Sequence, residues 1–138
     1  MRIVYDLDKT EKKQLVFIIV NEDGEKFGYF LCSQLVENYK EYIETDEKSF
    51  EFNLESNGRL EHPMKFEIKD LKKGGYYLWG KLNEYLIGLG DICLMKENYK
   101  NKSCCFQDED KFDYHGIENA LCGKYDFTPN RILVIQME

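Results

Sequence analysis

Proline is scarce in this chain: Pro63 and Pro129 are the two in 138 residues. No Pro-, Gly- or Ser-rich stretch, internal repeat or low-complexity tract breaks the pattern, so residues 1–138 read as one continuous domain. Apolar runs are short. None reaches about 18 residues, and the first residues carry no apolar segment suited to a signal peptide, so neither membrane insertion nor secretion is expected. The five cysteines (Cys32, Cys93, Cys104, Cys105 and Cys122) form no CxxC and are odd in number. Reduced thiols and a cytoplasmic location are the matching expectation. Positive charge is in deficit, with 19 Lys and Arg against 26 Asp and Glu and a net charge of −7. A nucleic-acid partner is therefore not expected, because such affinity rests on cations that neutralise phosphates. The densest basic group, Lys96, Lys100 and Lys102, is flanked by Glu97 and by Asp108–Asp110.

The catalytic and ligand-holding motifs are also thin. His62 and His115 have no ligand spacing to cysteine or to each other, so no metal site is expected. Asp108-Glu109-Asp110 lacks the spaced ligands of a calcium loop. No GxGxxG, GxSxG or phosphate-binding loop occurs, so no cofactor is expected. Cys104-Cys105 has no neighbour in sequence that lowers a thiol pKa. Asp108–Asp110 are expected to raise it, which makes these thiols buried or idle.

Aromatic side chains are abundant: ten Tyr, nine Phe and one Trp, 14% of the chain. Each brings a large buried area, enough for a core without staples. Leu15–Val20 (LVFIIV) and Arg131–Met137 (RILVIQM) are apolar on both faces and are expected to be central strands. Asn21–Gly24 forms a turn and Lys26–Cys32 resumes an extended pattern, which predicts a hairpin. Phe50–Leu54 and Met64–Lys69 alternate strictly, as half-buried antiparallel strands do, with the Asn57-Gly58 turn between them. Shorter strands are predicted at Met1–Tyr5, Tyr76–Trp79, Tyr85–Ile87, Asp91–Met95 and Cys104–Gln107. One stretch changes period, and a second is bounded by a glycine. Leu35, Val36, Tyr39, Tyr42 and Ile43 predict a helix over Ser33–Ile43, and His115–Cys122 predicts a short helix closed by Gly123. The expected fold class is α+β, mainly antiparallel β: a sandwich of two sheets flanked by one to three short helices.

Four landmarks, in order, carry a family resemblance. Asp23-Gly24-Glu25-Lys26-Phe27-Gly28-Tyr29 follows the first buried strand. Ser49-Phe50-Glu51-Phe52-Asn53-Leu54 follows as a strand, then Gly88-Leu89-Gly90-Asp91-Ile92 as a glycine-rich turn. Leu121-Cys122-Gly123-Lys124-Tyr125-Asp126-Phe127 leads into the closing strand. Over about residues 14 to 138 the chain resembles the TLDc domain. Family members carry a longer N-terminal section with helices, of which residues 1–13 are expected to be a short remnant. The family's closing strand often holds an acidic residue where this chain has Leu133 and Gln136. The resemblance implies a non-catalytic interaction module without cofactor, linked to protection against oxidative damage. Its implied protein partner is the vacuolar proton pump, the V-ATPase. The motif positions Gly24, Phe27, Gly28, Phe50, Phe52, Gly90, Asp91, Leu121, Gly123 and Phe127 are expected to be structural: turns or close backbone approach for the glycines, core for the phenylalanines.

A rival sits at the start of the chain. Ile3-Val4-Tyr5-Asp6-Leu7-Asp8-Lys9-Thr10 resembles the first motif of haloacid-dehalogenase-type phosphatases. There Asp6 is the nucleophile, Asp8 the general acid and base, and Mg²⁺ screens the charge. That fold needs a parallel crossover of a dozen or more residues after the motif. The next strand starts at Leu15, which suits an antiparallel return, and Asp91 has no acidic partner four residues on. A regulatory role in stress signalling or transcription, as part of a larger assembly, is a third reading.

Overall fold

The structure, a computed structural model, describes residues 2–3, 13–35, 42–79, 85–96 and 102–137. Among them the alternating and β-branched segments become strands β1 (Arg2–Ile3), β2 (Lys13–Asn21), β3 (Lys26–Gln34), β4 (Phe50–Glu55), β5 (Met64–Glu67), β6 (Tyr76–Leu78), β7 (Tyr85–Leu89), β8 (Ile92–Met95), β9 (Ser103–Cys105), β10 (Asp126–Phe127) and β11 (Pro129–Gln136). They form two antiparallel sheets, β1-β11-β2-β3-β4-β5 and β10-β9-β8-β7-β6. The two sheets make a β-sandwich.

The apolar strands β2 and β11 lie inside the larger sheet, as their composition requires. On β2 the two faces differ. Leu15, Phe17 and Ile19 are closed to solvent, while Val16, Ile18 and Val20 are half-buried. Strand β1 pairs with β11 rather than with β2, so it does not form the expected antiparallel return to Leu15. The turn from β2 to β3 is organised by Asn21, whose Oδ1 accepts the N–H groups of Asp23 and Glu25 at 3.0 Å.

The core lies between the sheets. Phe17, Ile19, Phe27, Tyr29 and Phe66 pack with Tyr76, Leu89, Ile92 and Leu94. Phe27 and Phe127 meet edge to face with centroids 5.0 Å apart. Full burial of such side chains contributes roughly 1.5–3 kcal/mol each.

The expected flanking helices are a correction: the described residues contain none. Ser33 and Gln34 complete β3, with Gln34 paired to Lys13. Ile43 forms a bridge to Tyr76, and residues 36–41 of the predicted helix lie outside the described residues. His115–Cys122 is a run of turns. Its backbone enters the positive-φ region at His115, Gly116 and Asn119, which an α-helix does not tolerate. The residues just before it run beside β5: Lys69 N–H donates to Lys111 O and Asp113 N–H to Glu67 O, which covers that edge of the sheet.

Candidate functional site

Strand β4 alternates as its sequence says but faces the other way. Glu51 pairs with Tyr29 and Phe66, and Asn53 with Phe27 and Met64, so the polar residues point into the sandwich. Glu51 is 0% exposed and Asn53 1%. Phe50 and Phe52, expected in the core, lie on the outer face of the sheet, beside Phe30 and Gly28; Phe52 is buried there, at 6% exposure, and Phe50 half-buried. The physical reason is register: the period-2 pattern commits both faces together, and the β3 pairing sets which one turns inward.

The buried polar groups find partners far away in sequence. Asn53 Nδ2 donates to Leu121 O at 2.7 Å. Asp91 N–H, in the β7–β8 turn, donates to Glu51 Oε2 at 2.7 Å. Tyr114 Oη lies 2.5 Å from Glu51 Oε1 and 2.6 Å from Asp91 Oδ2. Asp91 Oδ2 also accepts Asp108 N–H at 2.6 Å, and Lys111 Nζ stands 3.3 Å from Asp91 Oδ1. Gly90 closes the site at positive φ: a Cβ there would lie 2.6 Å from the Phe112 ring and 2.8 Å from Glu51 Oε2.

The geometry fixes a proton count. A phenol has one O–H, so Tyr114 donates to one carboxyl group and accepts from the other. One carboxyl must carry a proton. Burial, with the charge of Asp91 adding to it, pushes the Glu51 carboxyl well above its ordinary range. Burial also raises Asp91, but less than the more fully buried Glu51; at both, the bond with Tyr114, a backbone N–H and Lys111 oppose the rise. Glu51 is therefore the neutral acid donating to Tyr114, and Tyr114 donates to the Asp91 carboxylate. Burial raises the Tyr114 phenol too. This cluster clamps the two sheets together and has no opening for a substrate at Glu51.

The motif residues divide accordingly. Gly90 and Asp91 belong to the clamp, and Leu121 supplies the carbonyl for Asn53. Phe27 and Phe127 are core, and Gly24 lies in the β2–β3 turn. Gly123 N–H donates to Asn119 O at 2.8 Å, closing a turn. At Gly28 a Cβ would lie 1.7 Å from the Phe17 backbone oxygen and 2.9 Å from the Phe52 ring, so that glycine answers the close approach of the β2 backbone. Asp6 and Asp8 lie outside the described residues. Every pairing of described strands is antiparallel, whereas the phosphatase motif needs a parallel neighbour.

Two surface features complete the site. On the outer face of the larger sheet, Val16, Phe30, Phe50, Phe52, Leu54 and Met137 line an apolar groove of about 710 Å³. Lys65 Nζ sits 4.5 Å above the Phe50 ring at its side. On the smaller sheet, Tyr77, Trp79, Tyr85, Cys93, Phe106 and Lys111 are among the residues lining an aromatic cleft of about 430 Å³. Cys93 on β8 faces Cys104 on β9. Hydrogen bonds from Cys93 and Tyr125 hold the Cys104 thiol down to about 7, outweighing burial and the nearby Asp126. Cys105 is buried, as expected; at Cys104 the sequence neighbours Asp108–Asp110 are not among the causes, which come from Cys93 on β8 and from Tyr125 and Asp126 beside β9.

Sequence reasoning missed Glu51, Tyr114, Lys111 and Cys93 as site residues. A glutamate on an otherwise apolar-alternating strand was the available signal for Glu51. Nothing local marked the other three. A scan against protein-family models gives no match, and a search of the curated proteins gives no significant similarity.

Proposed function

We propose that this chain is a non-catalytic, TLDc-type protein-interaction module linked to protection against oxidative damage, with a V-ATPase subunit as partner. The observation that carries the reading is the outward turn of β4. It places Phe50, Phe52 and Leu54 on the outer face, where they continue the apolar surface of Val16 and Phe30. A contiguous apolar groove of this kind is a surface that partners bind. The motif residues Phe27, Gly90, Asp91, Leu121 and Phe127 meanwhile serve the core and the clamp, which fits a scaffold whose work is done at its surface.

Affinity capture from cell extract with the full chain tests this. Recovery of pump subunits by the wild type, lost in Phe50→Lys, is the expected result. A wild type that recovers no pump subunit removes that partner. Equal capture by both chains removes the groove as the docking face. Mg²⁺-dependent hydrolysis of an aryl phosphate, abolished in Asp6→Asn, would replace the whole reading with a phosphatase.

A further inference from the structure

Four of the five cysteines stand in two pairs, and β9 joins them. Cys104 and Cys105 are consecutive on β9, so their side chains leave opposite faces of the smaller sheet. Cys105 points into the core toward Cys122, with the sulfurs 3.8 Å apart; the residues are 5% and 1% exposed. Cys104 is on the outer face, half-buried, directly across from Cys93. Directly opposed residues of antiparallel strands hold their Cα atoms about 4.5–5.5 Å apart. A disulfide spans Cα separations of about 4.4–6.8 Å, so a directly opposed pair stands within its reach. Cys93 lines the aromatic cleft formed by Tyr77, Trp79 and Tyr85, and Cys104 stands beside it across the strand pair, next to that lining. Trp79 lies against Gly88, the residue across from Cys93 on the other side.

We infer that Cys93 and Cys104 form a redox site that reduces hydroperoxides and closes reversibly to a disulfide, with the aromatic cleft seating the organic part of the oxidant. The sulfur of Cys104 attacks the terminal oxygen of R–O–O–H. The O–O bond breaks, the leaving alkoxide takes a proton to become the alcohol, and Cys104 becomes a sulfenic acid. The sulfur of Cys93 then attacks the Cys104 sulfur. An S–S bond forms, the S–O bond breaks, and hydroxide leaves with the Cys93 proton as water. A small dithiol restores both thiols by exchange and is itself oxidised to a disulfide. The roles follow from position. Cys104 is the more exposed sulfur and receives hydrogen bonds from Cys93 and Tyr125, which favour its thiolate. Cys93 is 5% exposed and acts as the resolving thiol. Cys105 and Cys122, with sulfurs 3.8 Å apart, are sealed in the core, beyond reach of the oxidant. The site is independent of any docking partner.

The reduced full chain, treated with hydrogen peroxide or cumene hydroperoxide, tests this by maleimide counting of free thiols and peptide mass mapping. The expected result is a fall from five free thiols to three, a Cys93–Cys104 linkage, intact Cys105 and Cys122, and recovery with dithiothreitol. Cys93→Ser should accumulate a dimedone-reactive sulfenic acid at Cys104, and Cys104→Ser should keep all four remaining thiols. Five surviving thiols, or a linkage mapped to Cys105–Cys122 or between two chains, overturn the proposal. The wild-type map decides even where a serine variant does not fold. Faster oxidation by cumene hydroperoxide than by hydrogen peroxide assigns the organic tail to the cleft; equal rates remove the cleft from the site.

Discussion

Strands β4 and β5 are neighbours with the same alternating sequence pattern, yet they bury opposite halves of it. In β5 the apolar residues Met64 and Phe66 turn inward and the charged Lys65 and Glu67 outward. In β4 the polar residues Glu51 and Asn53 turn inward and the phenylalanines outward. The difference teaches that alternation identifies a strand without naming its inner face. An inverted face is tolerable only where every buried polar group is met. Glu51 is met by Tyr114 and Asp91 N–H, and Asn53 by Leu121 O. In return, the sheet presents apolar surface on the side where a partner can reach it.

The comparison can be broken at its ordinary half first. Phe66→Ala on β5 removes a ring that is 0% exposed and packs against Tyr114 with centroids 5.3 Å apart. A loss of about 3–5 kcal/mol is expected in denaturant unfolding, as for other buried aromatic truncations. Tyr114→Phe tests the inverted half: it leaves Glu51 and Asp91 facing each other without the shared hydroxyl. A loss of about 2–3 kcal/mol follows from stranding buried acceptors, and a variant as stable as the wild type would remove the clamp from the account.

A subtler test uses pH. Folded Glu51 holds its proton above the unfolded carboxylate value of 4.5. The folded state therefore binds more protons than the unfolded state in that window. Stability is greatest near and below pH 4.5 as far as Glu51 is concerned, and falls as pH rises through the raised folded pKa. Asp91, also raised by burial, acts in the same direction. Glu51→Gln keeps a neutral donor toward Tyr114, so its melting temperature should decline less between pH 5 and 8 than that of the wild type. Parallel thermal-melt profiles for the two chains would show that Glu51 is ionised when folded. The smallest effect is expected at Phe50, half-buried on the outer face: Phe50→Ser should change stability by about 1 kcal/mol or less in the same unfolding assay.

Much of the fold was legible from local pattern. The strands at Leu15–Val20, Lys26–Cys32, Phe50–Leu54 and Met64–Lys69 are where period-2 alternation and β-branched runs put them, and Asn21–Gly24 is the turn expected. The expected helices have no counterpart among the described residues. His115–Cys122 was expected to be a short helix, but positive φ at His115, Gly116 and Asn119 breaks it into turns. The candidate site was legible only in part. Gly90 and Asp91 stood out as a motif, while their partners Glu51 and Tyr114 are 40 and 23 residues from Asp91.

The sequence by itself determined that this protein is built from antiparallel strands, because alternation and turn chemistry are properties of adjacent residues. Only the tertiary structure decided which face of β4 is buried, which carboxyl keeps its proton, and which cysteines face each other. Those outcomes depend on desolvation and on register between segments distant in the chain, and neither quantity is written in any local stretch of residues.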